Sequence, residues 1–298
     1  MAMRVEPVTI IGAGPAGLAA AIQLKRYGIT PITFERAMMG GLLHNANLVE
    51  NYPGFPDGVS GPELARCFVA QASRIGVDVT FEAVTLLEEA SGHFRVTTPS
   101  RVCLSRIVVI ATGTRPCTFS DFEILVRLRA RVFYEVFPLL GVEGKRIAIV
   151  GAGDAAFDYA LNLAKKNQVV ILNHNAQHKC LPMLWERSQA VSQISYHART
   201  TVSRMSETVS GGITLKCTAP TGSINLDVDY LIGAIGREPQ LDFVATQFLE
   251  RAPELEKRGG LYRIGDVKNG IFRQVSIAVG EGVLAAMKIY RQLEKTLG

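Results

Sequence analysis

The sequence predicts an α/β protein made of two parallel-sheet units, on three observations. A short β-branched run, Val8-Thr9-Ile10-Ile11, leads into a glycine-rich turn and then an Ala/Leu-rich segment ending at Arg26. The same succession returns from Arg146 to Lys166, with the glycine turns 139 residues apart, Gly12 to Gly151. A chain of 298 residues also exceeds what one hydrophobic core usually fills, so the repeat reads as a duplicated unit and not as a short solenoid.

Each element follows from its local pattern. Residues 8–26 read as strand, tight turn and helix, because β-branched side chains suit a pleated strand and unbranched ones lose little freedom in a helix. Ile32-Thr33-Phe34-Glu35 is a second strand after the turn at Gly28, and Leu64 to Ile75 has helical spacing. Residues 77–83, 86–89 and 93–98 read as short strands, and Ile107 to Ile110 as a buried strand ending at Thr112-Gly113. In the repeat, Arg146 to Val150 is a strand, Phe157 to Lys166 a helix, and Val169 to Leu172 the next strand. Tyr230 to Ile235 forms another buried strand before Gly236; a strand at 261–264 and a long helix from about Val275 to Leu297 close the chain.

Composition narrows the class. With 48% hydrophobic and 20% charged residues the chain is a packed globular protein and not a disordered one. The net charge of +5 is scattered, with no Lys/Arg run of the kind that binds nucleic acid. A mild basic balance helps an acidic partner to dock, although it is more often only a solvated surface. Cys67, Cys103, Cys117, Cys180 and Cys217 form no C-x-x-C pair and no disulfide framework, which points to a reducing, cytoplasmic setting. Residues 8–24 are apolar but broken by Gly12, Gly14, Pro15 and Gly17, so neither a signal peptide nor a membrane span is expected.

The first turn, Gly12-Ala13-Gly14-Pro15-Ala16-Gly17, fits a dinucleotide site because its context is complete: a strand before, a helix after, and an acidic residue, Glu35, where a carboxylate accepts from ribose hydroxyls. Glycines here allow the tight turn, approach of a pyrophosphate to the helix N-terminus, and close helix–strand packing. The second turn, Gly151-Ala152-Gly153-Asp154-Ala155-Ala156, replaces the third glycine with Ala156, a permitted change. The strand after it ends Asn173-His174-Asn175-Ala176, with neither a carboxylate for a 2′-hydroxyl nor an arginine for a 2′-phosphate; His174, His178 and Lys179 supply partial positive charge. This pattern leaves NADH against NADPH undecided, and a second site too degenerate to bind nicotinamide is the competing reading.

With these residues in view, the chain resembles the thioredoxin reductase-like FAD/NAD(P)-dependent oxidoreductases nearly end to end. The resemblance is carried by the first glycine turn with Glu35, GGLLHNANLVENYPGFP at 40–56, ATG at 111–113, the second glycine turn, AIGREP at 234–239, and IGDVKNGIFRQVSIAVGEGVLAA at 264–286. It implies two Rossmann-like domains, the NAD(P) domain (118–240) inserted into a discontinuous FAD domain (1–117 and 241–298). For FAD it implies the turn residues Gly12, Gly14, Pro15, Ala16 and Gly17, then Glu35, Arg36, Gly41, Leu42, Asn51, Thr112 and Gly113. Gly265 and Asp266 would hold the ribityl chain, while Arg273, Gln274 and Val275 open the helix whose N-terminal dipole faces the flavin ring. For NAD(P)H it implies Gly151, Gly153, Asp154, Ala155, Ala156, His174 and Lys179. A homodimer is the usual state of such proteins.

Two departures bear on the reaction. Where thioredoxin reductases carry Cys-x-x-Cys ahead of the second turn, this chain reads Glu135-Val136-Phe137-Pro138; where they carry His-Arg-Arg, it reads His174-Asn175-Ala176. Without paired thiols, electrons are not expected to reach thioredoxin by dithiol exchange. The closest functional analogue is then the thioredoxin reductase-type ferredoxin–NADP reductase, which passes electrons from FAD to an iron–sulfur protein. A small-molecule acceptor such as a quinone or dioxygen is the second reading, and a flavin-binding scaffold or sensor the third. Glu135 is the one candidate catalytic residue, a carboxylate in an apolar run suited to proton relay, although a surface turn residue is the preferred reading. His174, His178 and Cys180 have metal-like spacing without a fourth ligand, so no metal is expected. Cys117 reads as a free buried thiol, and Trp185 as packing.

Overall fold

A computed structural model describes residues 4–90 and 92–297. Its contacts divide the chain into two compact units: residues up to His44, Val49–Arg115 and from Glu238 onward in the first, Asn45–Leu48 and Pro116–Arg237 in the second. The division falls two and three residues before the boundaries expected at 117/118 and 240/241. It also corrects the expected course of Asn45–Leu48. That segment groups with the second unit because Asn45 Oδ1 accepts from the Phe137 N–H (3.0 Å) and the Asn47 N–H donates to Asp158 Oδ2 (2.8 Å).

The first unit begins with β1 (Val5–Ile11), α1 (Pro15–Arg26), β2 (Ile32–Phe34), α2 (Gly61–Ile75) and β3 (Val79–Thr80). It continues through β4 (Leu86–Ala90), β5 (His93–Thr97), β6 (Val102–Ile110) and β7 (Thr114–Pro116). α2 has clear ends: the Ser60 hydroxyl accepts from the Glu63 N–H at its start, and Gly76 takes the left-handed cap conformation (φ +76) at its close. The expected strand over 77–83 shrinks to Val79–Thr80, because the chain leaves the sheet at Phe81 and Glu82 turns to pair with Arg101.

The second unit holds β8 (Val132–Phe133), β9 (Arg146–Val150), α3 (Asp154–Leu163), β10 (Gln168–Leu172), α4 (Pro182–Gln189) and β11 (Ile194–His197). Then come β12 (Thr201–Glu207), β13 (Ile213–Ala219), β14 (Gly222–Val228) and β15 (Tyr230–Gly233), after which β16 (Arg237–Pro239) leads back. The first unit resumes with α5 (Thr246–Lys257), β17 (Leu261–Arg263) and α6 (Val275–Leu297). α3 lies three residues earlier than Phe157–Lys166, since Gly153 caps its start and Asn167 Nδ2 closes its end by donating to the Leu163 carbonyl (3.0 Å).

In the first unit the sheet order is β3-β2-β1-β6-β5-β4, with β17 also on β6. The long β6 serves both ladders: Val102–Ser105 pairs antiparallel with β5, and Val108–Ile110 parallel with β17. Its side chains alternate between two cores, Ile107 and Val109 beneath α1 and α6, Val108 and Ile110 against Phe34, Leu87 and Phe248 on α5. The second unit has a wholly parallel sheet, β11-β10-β9-β15-β8. α3 buries Phe157, Ala160 and Leu163 on one face, and the antiparallel sheet β12-β13-β14 covers the other with Met205, Ile213, Leu215 and Cys217.

Candidate functional site

In the first unit the turn is set by Gly12, at φ +104; a Cβ there would stand 2.5 Å from the Ala111 carbonyl oxygen. Its N–H donates to Phe34 O (2.8 Å), so the turn is hung on the end of β2. Gly14 caps α1 with open space where a side chain would project, and Gly17 lets the helix lie against the Gly12 carbonyl. The N–H groups of the first helical turn have no acceptor within the helix, an arrangement that suits an anion.

Glu35, at the end of β2, is buried and accepts from the Ala13 N–H (2.8 Å) and the Ala37 N–H (2.9 Å). Those donors fix the carboxyl group in place and leave lone pairs for hydroxyls. A cavity of about 190 Å³ opens beside it, lined by Gly12, Glu35, Arg36, Glu82, Thr112 and Gln240 among others. Arg36 donates to Gln240 Oε1 (3.1 Å) and the Thr112 hydroxyl to Gln240 O (2.7 Å). Hydrogen bonds from Thr98 and Ser100, with the Arg101 charge, hold the Glu82 carboxyl below its ordinary range. Gln240, Glu82 and Asp242 were not singled out in the sequence; they come from loops with no motif.

The other residues expected at this site gather in the same unit. The Gly40 N–H donates to Ala13 O (2.8 Å), which seats Gly41 and Leu42 beside the turn, and a Cβ on Gly41 would stand 3.3 Å from Gly14 Cα. Gly265 lies against Ala16, and Asp266 follows it in a single 3-10 turn (Gly265–Val267). Asn51 Nδ2 donates to Gln274 Oε1 (2.8 Å), joining the 40–56 segment to the start of α6 beside Arg273 and Val275. Gly113 is at φ +63, and its carbonyl accepts from the Gln240 N–H (3.1 Å).

The second unit repeats the turn. Gly151 is at φ +124 with its N–H on Leu172 O (3.0 Å), and a Cβ would stand 2.2 Å from Ala234 O. Gly153 caps α3, and Ala156 is fully buried where the first turn has a glycine. Two bonds pin the following loop to the turn, the Lys179 N–H to Ala152 O (2.8 Å) and the Leu181 N–H to Asp154 Oδ1 (2.8 Å). His178 stacks on Trp185 at 4.2 Å, with Phe157 and Tyr196 packed around it. Among the described residues no group of three or more His, Cys, Asp or Glu is placed to hold a metal; Cys180 Sγ lies 3.3 Å from His178 Nδ1.

Register aligns the strand ends of the two units. Phe34 pairs with Ile11 and Leu172 with Val150, so Asn173 stands where the first unit has Glu35. Asn173 Oδ1 accepts from the Asn175 N–H (3.0 Å), just as Glu35 accepts from Ala37; its Nδ2 donates to Gln177 O and to the Tyr196 hydroxyl. The expected His174 lies one residue beyond, exposed, with Nε2 2.9 Å from Asn175 Nδ2. An arginine from outside the motif has its backbone nearby: the Arg199 N–H donates to Asn175 O (2.9 Å) from the turn after β11. Arg199 is the sole non-glycine at positive φ (+49) among the described residues. Its side chain and that of Lys179 are exposed.

The stretch ahead of the second turn is packed. The Tyr134 hydroxyl accepts from the Phe119 N–H (3.0 Å), and its ring lies so close to Gly233 that a Cβ there would meet it at 2.7 Å. Glu135 is not the surface turn residue preferred from the sequence: its side chain is 27% exposed, 2.7 Å from Arg237 Nη1, and accepts from the Tyr159 hydroxyl at 3.5 Å. Burial pushes that phenol well above its ordinary range. Burial likewise raises Cys103, Cys180 and, to about 11, Cys217. Cys117, expected to be buried, is only half-buried, because its place is set by its backbone, whose N–H donates to Gly236 O (2.9 Å).

Residues 6–282 match the model of the pyridine nucleotide-disulphide oxidoreductases. The chain belongs to that family. Within it the sequence is 30% identical to the thioredoxin reductase of Streptomyces coelicolor, over 95% of this chain and 92% of that protein. It is 31% identical to NADPH-dependent thioredoxin reductase 3 of Arabidopsis thaliana over 97% of this chain, and it spans 58% of that protein's length. The fold matches the crystal structure of Lactococcus lactis thioredoxin reductase with a TM-score of 0.86, 24% identity, and coverage of 97% and 99% of the two chains. The protein is thus a thioredoxin reductase-like oxidoreductase with FAD and a pyridine nucleotide as cofactors, in two Rossmann-like domains. Among the described residues no helix is long and apolar enough to cross a membrane.

Proposed function

We propose that this oxidoreductase draws electrons from NADPH through FAD and delivers them to an acceptor other than a protein dithiol. The observation that carries the reading is the stretch before the second turn, where Tyr134 is packed on Gly233 and Glu135 is paired with Arg237, with no thiol in the run. Burial keeps Cys103, Cys180 and Cys217 protonated, and a protonated thiol exchanges slowly with disulfides. An acidic iron–sulfur protein such as ferredoxin is the acceptor that best suits the net charge of +5.

In this reading the first unit is the FAD domain and the second the NAD(P) domain. The first unit fits FAD because its turn is a cradle that any Cβ at Gly12 would fill, with a cavity ending at a buried carboxylate. Glu35 would take the adenosine ribose hydroxyls, the N-terminus of α1 the pyrophosphate, and Asp266 the ribityl hydroxyls, while Asn51 and Gln274 hold the start of α6 to the flavin. FAD, when bound, accepts a hydride from the nicotinamide and passes its electrons on. In the second unit Gly151, Gly153 and the N-terminus of α3 with Asp154 and Ala155 would hold the pyrophosphate; Asn173 removes the carboxylate that would repel a 2′-phosphate, and Lys179, His174 and Arg199 would attract it. Glu135, tied to Arg237 and Tyr159, holds the run in place of a thiol pair. Exposed Ile277, Leu284 and Met287 share one side of α6, which supports a homodimer, and five free cysteines suit a reducing cytoplasm.

The test is anaerobic reduction of the purified yellow protein by NADPH, followed by mixing with oxidised ferredoxin, a quinone or oxidised thioredoxin. Flavin bleaching followed by reoxidation with ferredoxin, weakening as salt rises, is the expected result. Turnover with thioredoxin as fast as with the other acceptors would refute the non-dithiol reading.

A further inference from the structure

One carboxylate outside both glycine motifs fastens the turn that carries Asp266. Glu281 lies on α6, and its Oε2 accepts from the Gly265 N–H (2.6 Å) and from Asn269 Nδ2 (3.2 Å), while Oε1 is 3.2 Å from Lys268 Nζ. Three residues of one turn therefore converge on a single side chain. The turn has little freedom elsewhere: Gly265 is buried at φ +71, and a Cβ there would stand 2.9 Å from the Ala16 methyl on α1. A buried N–H left without an acceptor is unfavourable, so losing the carboxylate would drive the Gly265 peptide to reorient, and Asp266 is the next residue.

We propose that Glu281 is a positioning residue for FAD, holding the Ile264–Gly265 peptide, and with it the start of the 3-10 turn, in the orientation that presents Asp266 to the ribityl chain; this rests on the reading of the first unit as the FAD domain. Glu281 touches the turn and not the reacting atoms. Its part is to supply an acceptor, at a fixed height on α6, for an N–H that the 3-10 geometry leaves without one. Gly282, the next residue, sets that height, because a Cβ on it would stand 2.3 Å from Ala16 O and lift α6 away from α1.

The experiment compares purified holoproteins carrying Glu281→Gln, Glu281→Met or Asp266→Ala with the unaltered protein. FAD release on dilution is followed by flavin fluorescence, and the unfolding midpoint is recorded in saturating FAD. Glutamine keeps an oxygen for the Gly265 N–H; methionine keeps the volume without it. Glu281→Met is expected to raise the FAD Kd about tenfold or more, and Glu281→Gln by less than about threefold, in line with one charge-assisted bond lost or retained as a neutral one. A Kd for Glu281→Met within twofold of the unaltered protein, with Asp266→Ala clearly weakened, would overturn the inference, as would a lowered midpoint with an unmoved Kd, or a Gln variant as weak as the Met one. If Asp266→Ala also left FAD binding intact, the FAD reading of the turn would itself fail.

Discussion

Replacing Arg199 by glycine isolates the charge proposed to select NADPH. Arg199 sits at φ +49, where glycine is at ease and alanine is strained, so Arg199→Gly removes the guanidinium without adding backbone strain. Its N–H bond to Asn175 O is kept, so the loop stays in register with Asn173. A hydrogen bond between charged partners contributes ~1.5–3 kcal/mol, and exposure and salt favour the lower end for this side chain. That predicts a roughly tenfold loss in NADPH affinity, with NADH affected less than about twofold, since NADH has no phosphate to lose. Anaerobic titration of the flavin absorbance with each nucleotide measures both, and calorimetric binding of 2′,5′-ADP against 5′-ADP gives the same comparison without electron transfer. Lys179→Ala should act in the same direction and make the 2′,5′-ADP affinity less salt-dependent. Equal losses for NADPH and NADH, or no loss for either, would refute the assignment of the phosphate to Arg199.

Two further predictions concern stability and pH. Gly282→Ala forces a methyl to within 2.3 Å of the Ala16 carbonyl and should destabilise the protein by ~2–3 kcal/mol in urea unfolding, whereas Gly280→Ala, with no atom within 4 Å, should be neutral or slightly stabilising; equal effects would contradict the α1–α6 packing. Asp158 is pushed from 3.8 to about 6, chiefly by burial, against hydrogen bonds from Asn47 and Leu48 and the Lys165 charge. With its folded pKa raised, the native state binds the proton more tightly, so Asp158 lowers stability progressively as pH climbs from about 4 to about 6, by at most ~3 kcal/mol. Asp158→Asn should therefore stabilise the protein by ~2 kcal/mol more at pH 8 than at pH 4.5, and a gain independent of pH would show that the carboxyl titrates normally.

The parallel strands, the two turns and α6 were legible because each carries an uninterrupted local signal. Val8–Ile11, Ile107–Ile110 and Ile147–Ile149 are largely apolar runs buried on both faces, and Gly12 and Gly151 occupy backbone conformations that only glycine adopts easily. The sheet β12-β13-β14 was not resolved into its strands. Its buried positions do alternate in β13 (Ile213, Leu215, Cys217), but a bulge between Val202 and Arg204 breaks the period in β12, and its exposed face carries the polar residues of a loop. α5 was obscured by Pro253 within the helix, and α4 by its eight-residue length. Expected site residues gathered because motifs are local; Gln240, Arg199 and Glu281 were missed because their roles depend on contacts across long stretches of chain.

The duplicated turn sets the same backbone arrangement in both units with a different residue at the strand end. Both units hang the first glycine on the end of the neighbouring strand, Gly12 on Phe34 and Gly151 on Leu172, and both bend the chain back with a side-chain oxygen accepting from the residue two places on. That bend needs only an acceptor, so Glu35 and Asn173 serve it equally. What differs is the spare chemistry. Glu35 keeps spare carboxyl lone pairs at a cavity, an arrangement suited to hydroxyl donors. Asn173 commits its amide to Gln177 and Tyr196, and carries no charge of its own. The carboxylate-to-amide exchange therefore preserves the fold of the turn while replacing an acid by a neutral amide at the strand end. The two units are thus told apart by the strand-end residue and not by the first two glycines, which are alike in both.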